Sequence, residues 1–65
     1  MFEIGKTYTH RRMLDCMVRI LWGSQYLDGK HELKIQWMNR RGMNLGFVEY
    51  ISIEPKELEN WYLYE

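Results

Sequence analysis

The sequence predicts a single small all-β domain, and three features of the chain support this fold class. The chain has 65 residues, which is room for one domain spanning residues 1–65. Hydrophobic residues make up 46% of it and aromatic residues 15%, so enough apolar material is present for a small core. Short stretches of alternating apolar and polar residues, separated by glycine-containing turns, are typical of β-strands. We therefore expect five strands, with one short 3-10 helical turn before the last strand.

The first strand is predicted close to the N-terminus. Phe2 and Ile4 are apolar residues separated by one polar residue, which suits a short strand. The stretch 5–14 follows, and we interpret it as a long loop or irregular strand that contains Tyr8.

The second and third strands are predicted to form a β-hairpin around Asp28-Gly29. This dipeptide suits the positive φ angles of a two-residue type I′ turn. The flanking stretches, residues 15–27 and 30–39, alternate in polarity as hairpin strands do.

The register of the hairpin follows from its turn. If the loop has only two residues, Ile20 faces Trp37 and Trp22 faces Ile35, so the large apolar side chains lie on one face. A slip of one residue would move them to the other face. The turn and the hydrophobic pattern therefore favour the same register.

A second turn at residues 39–44 is followed by a fourth strand at residues 47–53. The alternation of this strand is imperfect, because Glu49 shares a face with Phe47 and Ile51. A bulge near Glu49 and a strand that is apolar on both faces would each account for this pattern.

The last two elements are a helical turn and a short strand. Pro55 suits the first position of a helical turn, and Glu57 and Glu59 behind it lie near the positive end of the helix dipole. We place this turn at residues 54–61, and the alternation of residues 62–64 predicts the closing strand.

The layout of these elements resembles the Src-homology-3-like superfold. The resemblance rests on Gly5-Lys6-Thr7-Tyr8 at the start of the first loop, Asp28-Gly29 and Arg41-Gly42 as hairpin turns, and residues 55–61 as the last turn. It is architectural and implies a five-stranded, partly open small barrel. Such barrels also occur in KOW, Tudor and Sm-like proteins, which bind RNA, methylated tails or other proteins.

The richness in Trp, Tyr and Met also looks like that of small accessory proteins encoded by bacteriophages. This second resemblance implies a modulator or inhibitor of a host cytoplasmic protein.

The charges of the chain balance overall but are unevenly distributed. Nine basic and nine acidic residues give a formal net charge of zero. Residues 1–53 carry eight basic and five acidic groups, whereas residues 54–65 carry one basic and four acidic groups. The formal charge of residues 1–53, the basic body, is therefore +3, and that of residues 54–65, the acidic segment, is −3.

The cysteine count indicates the compartment. Cys16 is the lone cysteine, which rules out an intramolecular disulfide and a zinc site built on several cysteines. No apolar run approaches the roughly 18 residues that a membrane-spanning helix needs. We therefore expect a cytoplasmic protein with no membrane association, no cofactor and no metal.

The candidate catalytic groups do not form a convincing site. A thiol nucleophile needs a nearby base, but Cys16 alternates in phase with the hairpin core, and we interpret His10 and His31 as surface residues. The carboxylates of residues 54–59 are most simply a solvated acidic patch. We expect no catalytic residue and no enzymatic activity.

The apolar residues exceed what one small core can hold, which favours a protein-binding surface. The resemblance to the Src-homology-3-like superfold implies that the first loop and the helical turn converge, and we predict one patch there, formed by Tyr8, Arg12, Tyr26, Trp61 and Tyr62. A second patch is predicted on the outer hairpin face, formed by Met17, Arg19, Leu21 and Met38. The partner would be a host protein or a second copy, with the acidic segment of one chain against the basic body of the other.

The alternative function is RNA or DNA binding. Arg11 and Arg12 in the first loop, and Arg40 and Arg41 in the second hairpin turn, would contact phosphates. Exposed tyrosines would stack on bases.

Overall fold

The computed structural model describes residues 2–13 and 15–64 of the chain. Five antiparallel strands form one sheet, and a single short 3-10 helix precedes the last strand. The strands are β1 (Thr7–His10), β2 (Cys16–Gln25), β3 (His31–Asn39), β4 (Asn44–Ile53) and β5 (Trp61–Leu63), and the 3-10 helix is Pro55–Asn60. The predicted all-β class, strand number and 3-10 turn are confirmed.

The sheet is open, with the strand order β4-β3-β2-β1-β5. In the described part of the chain β4 and β5 are its two edges, and no ladder joins them. The predicted partly open small barrel is therefore not observed, because the strands form one open sheet. The resemblance to the Src-homology-3-like superfold stays a prediction.

The first strand lies later in the chain than predicted. It is formed by Thr7–His10 and not by Phe2 and Ile4, so it falls inside the stretch interpreted as a long loop or irregular strand containing Tyr8. Two backbone hydrogen bonds attach the chain before β1 to β2. Gly5 N–H donates to the Ile20 oxygen at 2.7 Å, and Ile20 N–H donates to the Lys6 oxygen at 3.0 Å. The threonine and tyrosine of this segment favour strand conformation.

The β2–β3 hairpin is confirmed, but its predicted register is wrong. Tyr26 N–H donates to the Lys30 oxygen at 2.8 Å, so the loop has three residues, 27–29, and not two. Gly29 has a φ of 90°, the left-handed conformation that ends a three-residue hairpin loop. The extra loop residue moves the pairing by one position.

A β-bulge at Leu21 moves the pairing by one position again. Ile20 faces Ile35, whereas Trp22 faces Lys34. Because side chains alternate between faces, the extra residue transfers Trp22 to the face opposite Ile20. Trp22 is 46% exposed, so its predicted place in the core is wrong.

The core lies on one face of the sheet, which we call the core face. Its buried side chains are Tyr8, Val18, Ile20, Leu33, Ile35 and Ile53, and Phe2, Trp37, Ile51, Leu58 and Trp61 pack against them. The opposite face, which we call the outer face, has a smaller buried group of Thr9, Met17 and Met38. The Thr9 hydroxyl donates to the backbone oxygens of Met13 (3.1 Å) and Cys16 (3.3 Å).

The fourth strand is regular at Glu49, where the sequence left a bulge and a strand apolar on both faces as alternatives. Its pairing with β3 is continuous from Val48 to Ile53. The irregularity lies earlier, at Gly46, which has a φ of 91°. Glu49 lies on the core face opposite Ile35, and its carboxylate accepts a hydrogen bond of 2.7 Å from the Trp37 indole. Of the two alternatives, the strand that is apolar on both faces is therefore the one observed.

His31 is buried, so the prediction that it is a surface residue is wrong. Its side chain is 4% exposed, and its ring meets the Phe2 ring edge to face at 5.4 Å. Among the described residues, neither imidazole nitrogen has a hydrogen-bond partner. Buried polar atoms without partners lower stability.

Replacing His31 with leucine should therefore raise the free energy of unfolding, by about 1 kcal/mol, because it removes two unpartnered polar atoms. Urea denaturation followed by tryptophan fluorescence would measure this. His10→Leu is the matched control, since the His10 Nδ1 already accepts a hydrogen bond from Arg12 N–H at 3.1 Å. Equal stabilisation by both substitutions would contradict the explanation.

Candidate functional site

A groove of about 450 Å³ opens between β4 and the end of β1, where the sheet fails to close. Two tryptophans form its apolar walls, and charged side chains stand at its rim. We call it the tryptophan groove, and its principal lining residues are Arg12, Met13, Trp37, Ile51, Glu57 and Trp61.

The pairing of the strands positions the two indoles. Trp37 faces Val18 on the core face, and its hydrogen bond to Glu49 fixes the ring at the margin of the core. Trp61 begins β5 and faces His10 of β1, with the two rings edge to face at 5.1 Å. Each indole therefore has one side against the core and another on the groove.

The rim of the groove combines opposite charges. Arg12 lies in the turn after β1, which is shaped by the hydrogen bond from its own N–H to the His10 ring. Glu57 lies in the 3-10 helix, and its carboxylate accepts a hydrogen bond of 2.8 Å from the Asn60 amide. An apolar floor with both a cation and an anion at the rim suits an amphipathic protein segment.

The structure brings together only part of the first predicted patch. Arg12 and Trp61 both line the tryptophan groove. Tyr8 is buried, with 6% exposure, and lines a neighbouring cleft of about 380 Å³ together with Trp61 and Tyr62. Tyr62 faces Thr9 on the outer face, and Tyr26 lies at the β2–β3 turn, away from the groove.

Tyr26 makes a local contact within its hairpin. Its hydroxyl donates to the Glu32 carboxylate at 2.6 Å. This hydrogen bond, together with the negative charge of Glu32, raises the pKa of Tyr26 above its ordinary value, because both favour the protonated phenol.

Removing that charge should lower the pKa of Tyr26. In Glu32→Gln we expect the phenol to titrate at a lower pH, which ultraviolet absorbance can follow as a difference from Tyr26→Phe. Glu54→Gln, which changes another exposed carboxylate, is the control and should leave the titration in place. An unchanged titration in Glu32→Gln would count against the hydrogen bond.

The second predicted patch is not a continuous exposed surface. Met17 and Met38 face each other across β2 and β3, and each is only 2% exposed. Arg19 and Leu21 remain accessible, Leu21 because it occupies the bulge. The prediction that the two methionines are exposed is wrong, because both are buried with Thr9 on the outer face.

The four arginines of the alternative site lie at one end of the sheet. The turn after β1 carries Arg11 and Arg12, and the turn after β3 carries Arg40 and Arg41. A hydrogen bond of 3.4 Å from the Arg40 guanidinium to the Met13 oxygen links the two turns. The same guanidinium lies over the Tyr64 ring at 5.5 Å, so Arg40 also has a packing role.

Comparison with known protein families, curated proteins and solved structures gave no match. Within residues 2–13 and 15–64, no three His, Cys, Asp or Glu side chains cluster so that they could hold a metal ion. In the same residues, no helix has the length and apolar character needed to cross a membrane.

Proposed function

We propose that this chain is a non-enzymatic module that binds a cytoplasmic protein through the tryptophan groove. In line with its resemblance to accessory proteins of bacteriophages, it would modulate or inhibit a host protein by covering part of its surface. The observation that supports this most is the groove itself, which is lined by two indoles at the open side of a small sheet. Tryptophan and arginine are over-represented among residues that dominate binding energy.

The chemistry of the groove indicates what the partner presents. An aromatic or long aliphatic side chain would fit between Trp37 and Trp61, where it would be removed from water. A carboxylate beside that side chain would meet Arg12 at the rim. We therefore expect an extended or turn segment with an aromatic residue next to an acidic one.

A charge reversal at the rim tests this proposal. A displayed library of random peptides, selected on immobilised protein, should enrich segments with adjacent aromatic and acidic residues, and Arg12→Glu should abolish their binding. Arg11→Glu is the matched control, since the neighbouring Arg11 does not line the groove. Enriched peptides should also shift the indole N–H resonances of Trp37 and Trp61 in NMR spectra.

Two results would overturn the proposal. One is enrichment of peptides that bind Arg12→Glu as well as the unmodified protein. The other is a set of shifts confined to Trp22, which lies on the outer face.

Nucleic-acid binding is a second candidate function, and it is favoured by the convergence of two arginine-bearing turns at one end of the sheet. Binding to labelled single-stranded RNA or DNA should then weaken steeply with salt. Arg11→Ala with Arg41→Ala should reduce the magnitude of the salt slope by about 2, one for each lost phosphate contact. Lys56→Ala is the control, and no binding at low salt would exclude this candidate.

A further inference from the structure

The free edge of β4 has few of the features that normally prevent strands from pairing with other chains, apart from the irregularity at Gly46 and the inward-facing carboxylate of Glu49. The strand is ten residues long and contains no lysine, arginine or proline. Its one charged side chain, Glu49, is held on the core face by the Trp37 indole. Phe47 and Tyr50 are 52% and 66% exposed. Long and largely apolar edges of this kind readily accept another strand.

The hydrogen-bond pattern identifies the backbone groups that are available. Tyr26 and Lys30 are a hydrogen-bonded pair, so alternation along β3 directs the backbone groups of Leu33 and Ile35 towards β4. Their partners in β4 are Ile51 and Glu49. The intervening residues, Val48, Tyr50 and Ser52, therefore direct their N–H and C=O groups away from the sheet.

We propose that a second copy of this chain occupies this edge, with the two β4 strands antiparallel across a two-fold axis at Tyr50. Val48 would then face Ser52 of the second copy, and the two Tyr50 side chains would face each other on the outer face. The pairing uses only the regular part of the strand, after the bulge at Gly46. Two five-stranded sheets would become one continuous sheet.

Competing registers are less favourable. An axis at Glu49 would set two carboxylates directly opposite each other, which is destabilising. An axis at Val48 would bring Tyr50 against Gly46, where the left-handed backbone interrupts the ladder. The zero net charge of the chain adds no long-range repulsion between copies. These arguments favour a second copy of the chain as the occupant of the edge, and they favour the register in which the two-fold axis lies at Tyr50.

Sedimentation velocity over a range of protein concentrations tests the dimer. The unmodified chain should shift from monomer to dimer as concentration rises, and Tyr50→Lys should remain monomeric because it places a charge at the axis. Tyr26→Lys is the matched control, an exposed tyrosine at a hairpin turn, and should dimerise normally. Far-ultraviolet circular dichroism would verify that both variants are folded. A monomer at every concentration, or dimerisation of Tyr50→Lys, would overturn the proposal.

Cysteine crosslinking tests the register in a Cys16→Ser background. In a hydrogen-bonded antiparallel pair the facing Cα atoms are about 5.5 Å apart, within the range of a disulfide. Tyr50→Cys should therefore form a crosslinked dimer on oxidation. With the axis at Tyr50, Glu49 faces Ile51 of the second copy, so the two residues at position 49 are diagonal neighbours about 7–8 Å apart. Glu49→Cys should therefore crosslink poorly. Preferential crosslinking of Glu49→Cys or Val48→Cys would overturn the register.

This edge adjoins the tryptophan groove, because Ile51 and Ser52 of β4 line that groove, but the test of the dimer requires no peptide. Failure of the dimer would leave peptide binding at the groove unaffected. Failure of peptide binding would likewise leave the sedimentation result standing.

Discussion

Replacing Leu33 with alanine should lower the free energy of unfolding by about 2–5 kcal/mol, because it leaves a cavity at the centre of the sheet. Leu33 is 1% exposed and lies in β3, the strand between β2 and β4, where it faces Gly23 on one side and Ile51 on the other. Domains of this length have a total stability of roughly 3–10 kcal/mol. We therefore expect Leu33→Ala to lose a large fraction of the total stability of the domain.

The chain contains a matched control for this experiment. Leu27 is fully exposed in the hairpin loop, so Leu27→Ala should change the free energy of unfolding by no more than about 0.5 kcal/mol. Both variants can be measured by urea denaturation with circular dichroism detection. Similar losses in the two variants would contradict the position of Leu33 in the core.

Replacing Gly29 with alanine should cost about 2 kcal/mol or more, from two separate causes. The φ of 90° at Gly29 is unfavourable for any residue with a Cβ atom. In addition, a Cβ atom at this position would lie 3.1 Å from Cγ of Pro55, so the hairpin loop and the 3-10 helix would have to move apart.

Gly42→Ala separates the two causes. Gly42 has a similar φ of 84°, but a Cβ atom there would meet nothing within 4 Å. Its substitution should show only the backbone cost, about 1–2 kcal/mol. The difference between the two variants should shrink in a Pro55→Ala background. If Gly42→Ala were as costly as Gly29→Ala, the loop would not contact Pro55 as described.

The fold class could be predicted from sequence because it depends on local patterns. Alternating polarity and glycine turns gave the number of strands, and Pro55 marked the 3-10 helix correctly. The register could not be predicted, because the turn has one more loop residue than assumed and Leu21 adds a bulge. Two single-residue insertions leave the alternation almost intact in the sequence, but they decide which face Trp22 occupies.

The candidate site was only partly predictable for a related reason. Arg12 and Trp61 were selected because the elements that carry them were expected to converge, and they do. Trp37 was expected only on the apolar face of the hairpin, and Ile51 was not selected for either patch. Their contribution to the groove depends on the sheet being open, which no local sequence pattern reveals. The mixed polarity of Phe47, Glu49 and Ile51 was the available signal that this edge is not fully buried.

The pairing of β1 with β5 has a consequence for the order of folding. Of the ladders in the described part of the chain, it alone joins strands that are distant in sequence, with Tyr8 facing Leu63. Closing so long a loop costs entropy, so the β1–β4 meander should form first and β5 should dock last. The three residues of β5 should also open first, giving fast amide hydrogen exchange. Because Trp61 belongs to β5, a ligand in the tryptophan groove would slow exchange at the last strand to form.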